Sequence, residues 1–94
     1  MLHIGILQFS LAISWSNSLK DKRSVVKSLK DRLRNHYNVS VAEIDTQDDL
    51  RLATLGLVMA GSDRRYLNGA LDKILHLLED HPDGELVEHQ IELL

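Results

Sequence analysis

Positive charge is concentrated in one short stretch, SLKDKRSVVKSLKDRLR at residues 18–34, which holds seven of the chain's eleven lysines and arginines. Residues three or four apart lie on the same side of a helix. Five of these cations therefore share one stripe of a predicted helix: Lys20, Arg23, Lys27, Lys30 and Arg34. Such a stripe is suited to binding the phosphates of RNA or of another polyanion.

Three cations, Lys20, Lys22 and Arg23, fall in the first turns of this helix, where positive charge opposes the helix dipole. That position becomes favourable when an anion sits between them, because free backbone N–H groups and basic side chains then converge on it. The Ser18 hydroxyl is a further donor, and Trp15 in the preceding loop offers an aromatic face for stacking. We therefore predict an anion site at the start of the helix.

The basic stripe is also compatible with roles that involve no RNA. Lysine and arginine form helices well, so the stripe could be a solvated helix face. It could also meet an acidic patch of another protein or of a second subunit, since residues 39–94 carry four basic and twelve acidic groups. Lys22 lies nearer the apolar side of the helix than the stripe does, where its methylene chain can pack.

The rest of the sequence predicts the elements that position this helix. Ser18 and Asp21 form an S-x-x-D capping box, and apolar residues recur at helical spacing until the helix ends near Asn35. Alternating or continuous apolar runs predict strands at 2–14, 39–45, 53–60 and 85–93. A second helix begins after a turn at 61–63, and His81-Pro-Asp-Gly84 ends it.

The second helix is predicted to bury one apolar side. Its members are Tyr66, Leu67, Ala70, Leu71, Ile74, Leu77 and Leu78. Gly56 in the third strand is interpreted as a position that permits close packing of a helix. The order β-α-β-β-α-β is that of the ferredoxin-like α+β fold, an antiparallel sheet with two helices on one face.

That fold leaves the other face of the sheet bare, and the first strand has apolar residues for both faces. Ile4 and Ile6 alternate in one phase, whereas Leu7, Phe9 and Leu11 alternate in the other. The phase slip indicates either a β-bulge or a strand that is apolar on both faces. Because a bare apolar face typically marks an interaction site, we predict a homodimer that associates through the sheet, unless that face proves polar.

Length and composition limit the remaining possibilities. The 94 residues are predicted to form a single domain at 1–94, with 44% apolar and 27% charged residues as in ordinary globular domains. No apolar run reaches the roughly 18 residues expected of a membrane-spanning helix, so no membrane partner is predicted. The lack of cysteine excludes disulfides and thiol catalysis and agrees with a reducing cytoplasm.

Motifs for catalysis and cofactors are missing from the chain. There is no Walker loop, no G-x-G-x-x-G and no metal-ligand spacing among the five histidines, so we predict no catalytic residue, no metal and no cofactor. Glu43, Asp45, Asp48 and Asp49 could hold a divalent cation, but a solvated connection is the simpler interpretation. The third strand, ATLGLVMAG, also lacks the aromatics of an RNA-recognition motif.

The run SLKDKRSVVKSLKDRLRNHYNVSVAEID resembles the YlxP-like proteins, a bacterial family of small proteins of unknown function with the pattern S-L-K-[ED]-K-R-S, a basic helix and F-N-V-S-V-A-E. The resemblance covers nearly the whole chain, with Tyr37 where phenylalanine is usual. It implies a ferredoxin-like fold and no established activity. The positions that it singles out are Ser18, Lys20, Lys22, Arg23, Ser24 and Glu43.

The resemblance also bears on function, because members of the family are often encoded beside genes for translation and ribosome maturation. We predict a non-catalytic cytoplasmic protein that binds RNA or a ribosomal subunit through the basic helix, with Trp15 as a loop contact. Phosphate contacts would give affinity and little base specificity. The alternative is a protein-interaction or assembly module acting through the open sheet face, and a hydrolase is a third hypothesis.

Overall fold

The computed structural model describes all 94 residues and confirms the predicted order of elements. They are β1 His3–Ala12, α1 Leu19–His36, β2 Val39–Glu43, β3 Leu52–Gly61, α2 Arg64–Glu79 and β4 Glu85–Leu93. β1 and β2 each end two residues earlier than predicted, while the two helices begin and end close to their predicted boundaries. The architecture is the ferredoxin-like α+β fold.

The four strands form one antiparallel sheet in the order β2-β3-β1-β4. β1 and β3 lie at the centre and pair along their whole lengths, from His3 with Gly61 to Ala12 with Leu52. β2 and β4 are the edge strands. Each edge strand therefore has backbone N–H and C=O groups that its own sheet does not use.

A core of 19 buried apolar residues lies between the sheet and the helices. β1 contributes the alternating row that begins with Leu7 and Phe9, and β3 contributes a matching row around Leu55 and Leu57. From α1 come the residues that the apolar spacing predicts: Val25, Val26, Leu29 and Leu33. Burying a leucine or phenylalanine of this kind contributes about 1.5–3 kcal/mol, so these rows orient the helices on the sheet.

The phase slip in β1 reflects a strand that is apolar on both faces. Its pairing with β3 is continuous. The register with β4 shifts between Ser10 and Leu11, so the bulge lies in β4, where Val87 is the extra residue. Ile4 and Ile6 consequently point to the open face while the following row of β1 points to the core.

The open face is mixed rather than uniformly apolar. Val58 is 45% exposed there, beside the two half-buried isoleucines of β1. The hydroxyl oxygens of Ser10 and Thr54 share a hydrogen bond of 2.8 Å between the two central strands. The β4 side is polar, with Glu88, Gln90 and Glu92 exposed. An apolar patch therefore occupies only part of this surface.

Gly56 lies on the open face and not beneath a helix, so the prediction about its packing is wrong. A Cβ atom at this position would lie 2.7 Å from Cδ1 of Ile44. Ile44 follows β2, and its N–H donates to the carbonyl of Thr54 at 2.6 Å. The glycine thus leaves room for Ile44 to fold across the sheet.

Asp63 caps the start of α2, and its side chain accepts a hydrogen bond from the N–H of Arg65 at 2.8 Å. Most of the predicted apolar side is buried, but Tyr66 is 67% exposed and Leu75 is buried instead. Tyr66 precedes the buried Leu67, and consecutive residues lie about 100° apart around a helix. Neither helix of the protein is both long enough and apolar enough to cross a membrane.

Candidate anion-binding surface

The start of α1 is built by the predicted capping box. The Ser18 hydroxyl accepts a hydrogen bond from the N–H of Asp21 at 3.0 Å. The Asp21 carboxylate in turn accepts from the N–H of Asn17 at 3.1 Å, one residue before the cap. Ser18 therefore has a structural role at the helix start, and its contact with an external anion stays a prediction.

Lys22 is fully buried and forms an ion pair in the interior. Its Nζ lies 2.7 Å from Oε2 of Glu43, which is 13% exposed. The same ammonium donates to the carbonyl of Thr46, and the Thr46 hydroxyl donates to Glu43 Oε2 at 2.8 Å. The Thr46 hydroxyl also accepts from the N–H of Thr54 at 2.9 Å. This network joins α1 to β2, to β3 and to the loop between those strands.

The burial of Lys22 removes it from the predicted anion surface, so its assignment there is wrong. Helical spacing places Lys22 near the apolar side, but a lysine at that angle can extend outward or turn inward. Glu43 lies at the end of β2, and its carboxylate makes the inward position favourable because it neutralises the desolvated ammonium. A cation in the first turns of α1 is thus explained by an internal partner.

The predicted basic stripe is otherwise on the surface. Lys20, Arg23, Lys27 and Arg34 are exposed, and Lys30 is partly exposed. Among these five, Lys20, Arg23 and Lys30 form neither an ion pair nor a side-chain hydrogen bond within the chain. Those three cations are the ones free to meet an external anion.

The other two stripe residues have internal partners. Lys27 pairs with Asp31 at 2.7 Å, and its hydrogen bond is the main reason that the pKa of Asp31 lies below the usual 3.8. Desolvation opposes this shift, and the charges of Lys27, Arg34 and Lys30 lower the pKa of Asp31 further. Arg34 donates from Nη2 to the carbonyl of Val41 in β2 at 3.0 Å. The stripe therefore faces the β2 side of the sheet.

Trp15 is directed to the opposite side. Its indole Nε1 donates to the carbonyl of Asp83 at 2.9 Å, in the turn that leads into β4. The ring is half exposed and borders a cleft that also includes Pro82 and Gly84. The structure therefore does not bring Trp15 to the β2 side that Arg34 contacts, and its role as an RNA contact stays a prediction.

A second basic region, which sequence reasoning missed, lies where the end of α1 approaches α2. Tyr37, the C-cap of α1, lines a groove of about 190 Å³ together with Tyr66, Arg65 and Lys73. Gly69 lies in the same groove, and a Cβ atom there would meet nothing within 4 Å. The sequence feature that could have indicated this basic region is the pair of arginines at the start of α2, whose first turn contains no acidic residue.

The acidic residues after β2 do not form a common site. Glu43 belongs to the interior pair, and the Asp49 carboxylate accepts from the N–H groups of Arg51 and Leu52. The first of these hydrogen bonds is the largest cause of the lowered pKa of Asp49. Asp45 has a φ of 58°, a left-handed conformation that helps to end β2. These carboxylates shape the loop.

Comparison with known proteins agrees with the resemblance in the basic helix. The sequence model of a family described as "Protein of unknown function (DUF503)" matches residues 4–91. The "Uncharacterized protein YlxP" of Bacillus subtilis (strain 168) is 32% identical over 82 residues, which cover 87% of this chain and 89% of that protein. Because these matches cover most of its length, the chain belongs to the DUF503 family of YlxP-like proteins.

Proposed function

We propose that this protein is a non-catalytic, cytoplasmic RNA- or ribosome-binding protein that uses the exposed cations of α1. The supporting observation is that Lys20, Arg23 and Lys30 reach solvent without an acidic partner, although the chain as a whole has a net charge of −3. Unpaired cations on one side of a helix give phosphate groups favourable electrostatic contacts. The absence of cysteine agrees with a reducing compartment.

The groove that Tyr37 forms with α2 supports the same proposal. Tyr37 and Tyr66 present aromatic side chains beside the cations Arg65 and Lys73. Proteins that bind single-stranded RNA stack unpaired bases on aromatic rings and hold the phosphates with nearby basic groups. Phosphate contacts along α1 and base stacking in the groove would together hold a flexible strand with little preference for its sequence.

The proposal sets an expectation for the effect of salt. Each phosphate that a lysine or arginine neutralises releases condensed counterions, so affinity falls as the salt concentration rises. Three contacts to a single strand correspond to a log–log slope of about −2. Binding through stacking alone would be much less sensitive to salt.

The first experiment is sedimentation of purified protein with ribosomal subunits at low and high salt. The test variant changes Lys20, Arg23, Lys27 and Lys30 to glutamine. The matched control keeps every charge, with lysine replaced by arginine and Arg23 replaced by lysine. Wild type and control should sediment with a subunit at low salt, and the glutamine variant should remain at the top of the gradient.

Two outcomes would contradict the proposal. Sedimentation that is unchanged in the glutamine variant would show that the stripe is not the binding surface. If the wild-type protein neither enters the ribosomal fractions nor binds isolated ribosomal RNA, the stripe is better explained as a solvated helix face. In both cases circular dichroism should first establish that the variants are folded.

A homodimer through the open sheet face is the second candidate. The observation that favours it is the 45% exposed Val58 beside Ile4 and Ile6. Changing Val58 to glutamate should shift the mass measured by sedimentation equilibrium from dimer to monomer, whereas Val58→Thr should not. A wild type that is monomeric at every concentration tested would contradict this interface and leave the RNA proposal unaffected.

A further inference from the structure

The outer edge of β4 is free along most of its length. Backbone hydrogen bonds join Ile4 and Leu94 in both directions, at 2.9 and 2.8 Å. In an antiparallel pair such bonded positions alternate with positions whose backbone groups point away from the partner strand. His89, Ile91 and Leu93 are the outward positions of β4, and no other segment of the chain hydrogen-bonds to them.

The opposite edge of the sheet is treated differently. The outward backbone positions of β2 are Val39, Val41 and Glu43, because Ile44 is bonded to β3. The Val39 N–H donates to the carbonyl of Tyr37 at 3.0 Å. The Val41 carbonyl accepts from the Arg34 side chain at 3.0 Å, and the Glu43 carbonyl accepts from the Gln47 side chain at 3.2 Å. The chain itself thus occupies one outward N–H and two outward carbonyls of the β2 edge.

The side chains of β4 define what can pair with its free edge. Glu85, Glu88 and Glu92 are exposed, and none of them forms an ion pair. β4 contains no lysine, although lysine is the usual residue that protects an edge strand from pairing. On the helix side of the sheet, Ile91 and Leu93 are half buried and pack against the core.

We propose that the outer edge of β4 binds an extended segment of another protein that carries alternating basic residues. The backbone of the segment would pair with His89, Ile91 and Leu93 and add a fifth strand to the sheet. Its lysines or arginines would lie on the open face beside Glu88 and Glu92. Its intervening apolar residues would lie on the helix side and extend the core.

Charge favours this occupant over a second copy of the chain. Two β4 strands paired antiparallel would bring six glutamates to one seam. A register that pairs residue 88 with 92, or 88 with itself, would place like charges directly opposite one another, which is unfavourable. A basic strand places opposite charges at the same positions. The binding surface is also separate from the α1 stripe, which faces β2.

The experiment uses a fluorescein-labelled nine-residue peptide of alternating lysine and valine with blocked ends, and measures binding by fluorescence anisotropy. His89→Pro removes an outward N–H and keeps the bonds between β4 and β1, since proline is tolerated at such edge positions. We expect at least tenfold weaker binding in this variant. His89→Thr retains the N–H and should bind within twofold of wild type.

A second measurement keeps the test independent of how well the proline variant folds. In wild-type protein, amide hydrogen exchange at His89, Ile91 and Leu93 should be fast, and the peptide should slow it. Combining Glu88→Gln with Glu92→Gln should weaken binding of the peptide several-fold. The proposal would be overturned if the peptide bound His89→Pro as tightly as wild type and left amide exchange in β4 unchanged. Binding would then be due to charge attraction alone.

A second result would also overturn the proposal. In it, the same three amides exchange slowly without peptide, and the wild-type protein is a dimer that the His89→Pro substitution dissociates. That result would assign the edge to a second copy. Failure to bind the peptide at all would overturn it as well. None of these outcomes changes the result expected for ribosomal sedimentation, so the two proposals fail separately.

Discussion

The ammonium nitrogen of Lys22 lies 2.7 Å from a carboxylate oxygen of Glu43 within the protein. The two residues are 21 positions apart, on α1 and β2, and both lie in the pattern shared with YlxP-like proteins. A buried ion pair of this kind is tolerated when hydrogen bonds satisfy its remaining groups, and Thr46 provides them through its carbonyl and its hydroxyl. One contact thus accounts for two separated parts of the motif.

Removing either charge of this pair should therefore lower the free energy of unfolding strongly, and removing both charges should lower it less. Lys22→Met leaves the carboxylate of Glu43 without its partner, and Glu43→Leu leaves a buried ammonium. We expect each single variant to lose about 3 kcal/mol of unfolding free energy and the double variant to lose much less than the sum. Urea unfolding monitored by circular dichroism measures all four proteins. Additive losses would show that the pair is not coupled.

Acid should loosen the turn that holds Trp15. Burial lowers the pKa of His81 below its usual 6.5, an effect that Asp83 opposes and Arg32 reinforces. His81 Nδ1 accepts from the N–H of Asp83 at 3.1 Å, and the Asp83 carbonyl accepts from the Trp15 indole. Protonation of Nδ1 removes the acceptor of the first bond.

Because the pKa of His81 is depressed in the folded state, its contribution to stability is complete above pH 6.5 and is lost as pH falls through the folded pKa. The fluorescence of Trp15, the single tryptophan, should titrate with a midpoint below 6.5. His81→Asn should abolish that transition. If the fluorescence of His81→Asn showed the same transition, the transition would belong to another titrating group.

Two glycines should respond differently to replacement by alanine. Gly69 lies within α2 with open space around it, so Gly69→Ala should add about 0.5–1 kcal/mol of stability through helix propensity. Gly56→Ala should gain less or lose stability, because the new Cβ would lie 2.7 Å from Cδ1 of Ile44, which must first rotate away. Thermal unfolding measures both. Truncating Ile44 to alanine should relieve the effect at Gly56, and its failure to do so would place the cost elsewhere.

Tyr66 should contribute to RNA binding without contributing to folding. Its side chain is 67% exposed in the groove beside Arg65. Tyr66→Ala should weaken binding of a single-stranded RNA by about 1–3 kcal/mol, the usual range for one stacked base. Tyr66→Phe keeps the ring and should bind like wild type. Unchanged affinity in the alanine variant would exclude the groove from the RNA surface.

Sequence reasoning predicted the features that repeat along the chain. Alternation in the strands and spacing in the helices gave the element order, and the capping box placed Ser18 at the start of α1. These patterns are local consequences of side-chain direction. The alternation also placed Leu7 and Phe9 on one face of β1, and the structure shows that this face is buried in the core.

What the sequence did not reveal depends on distant partners. The burial of Lys22 requires Glu43, and the position of Gly56 requires Ile44. The hydrogen bond that directs Trp15 toward β4 requires Asp83, 68 positions later in the chain. Periodicity gives the angle at which a side chain leaves its helix or strand, but not which residue meets it in the folded protein.

The difference between the two sheet edges sets a limit on assembly. A sheet with two open edges can recruit strands at both ends, and repeated addition then produces fibres. In this protein Arg34 and Gln47 side chains already occupy the carbonyls of Val41 and Glu43 on the β2 edge. Strand addition to this sheet is therefore directional: an incoming strand would meet free backbone groups at β4, whereas at β2 it would first have to displace those two side chains.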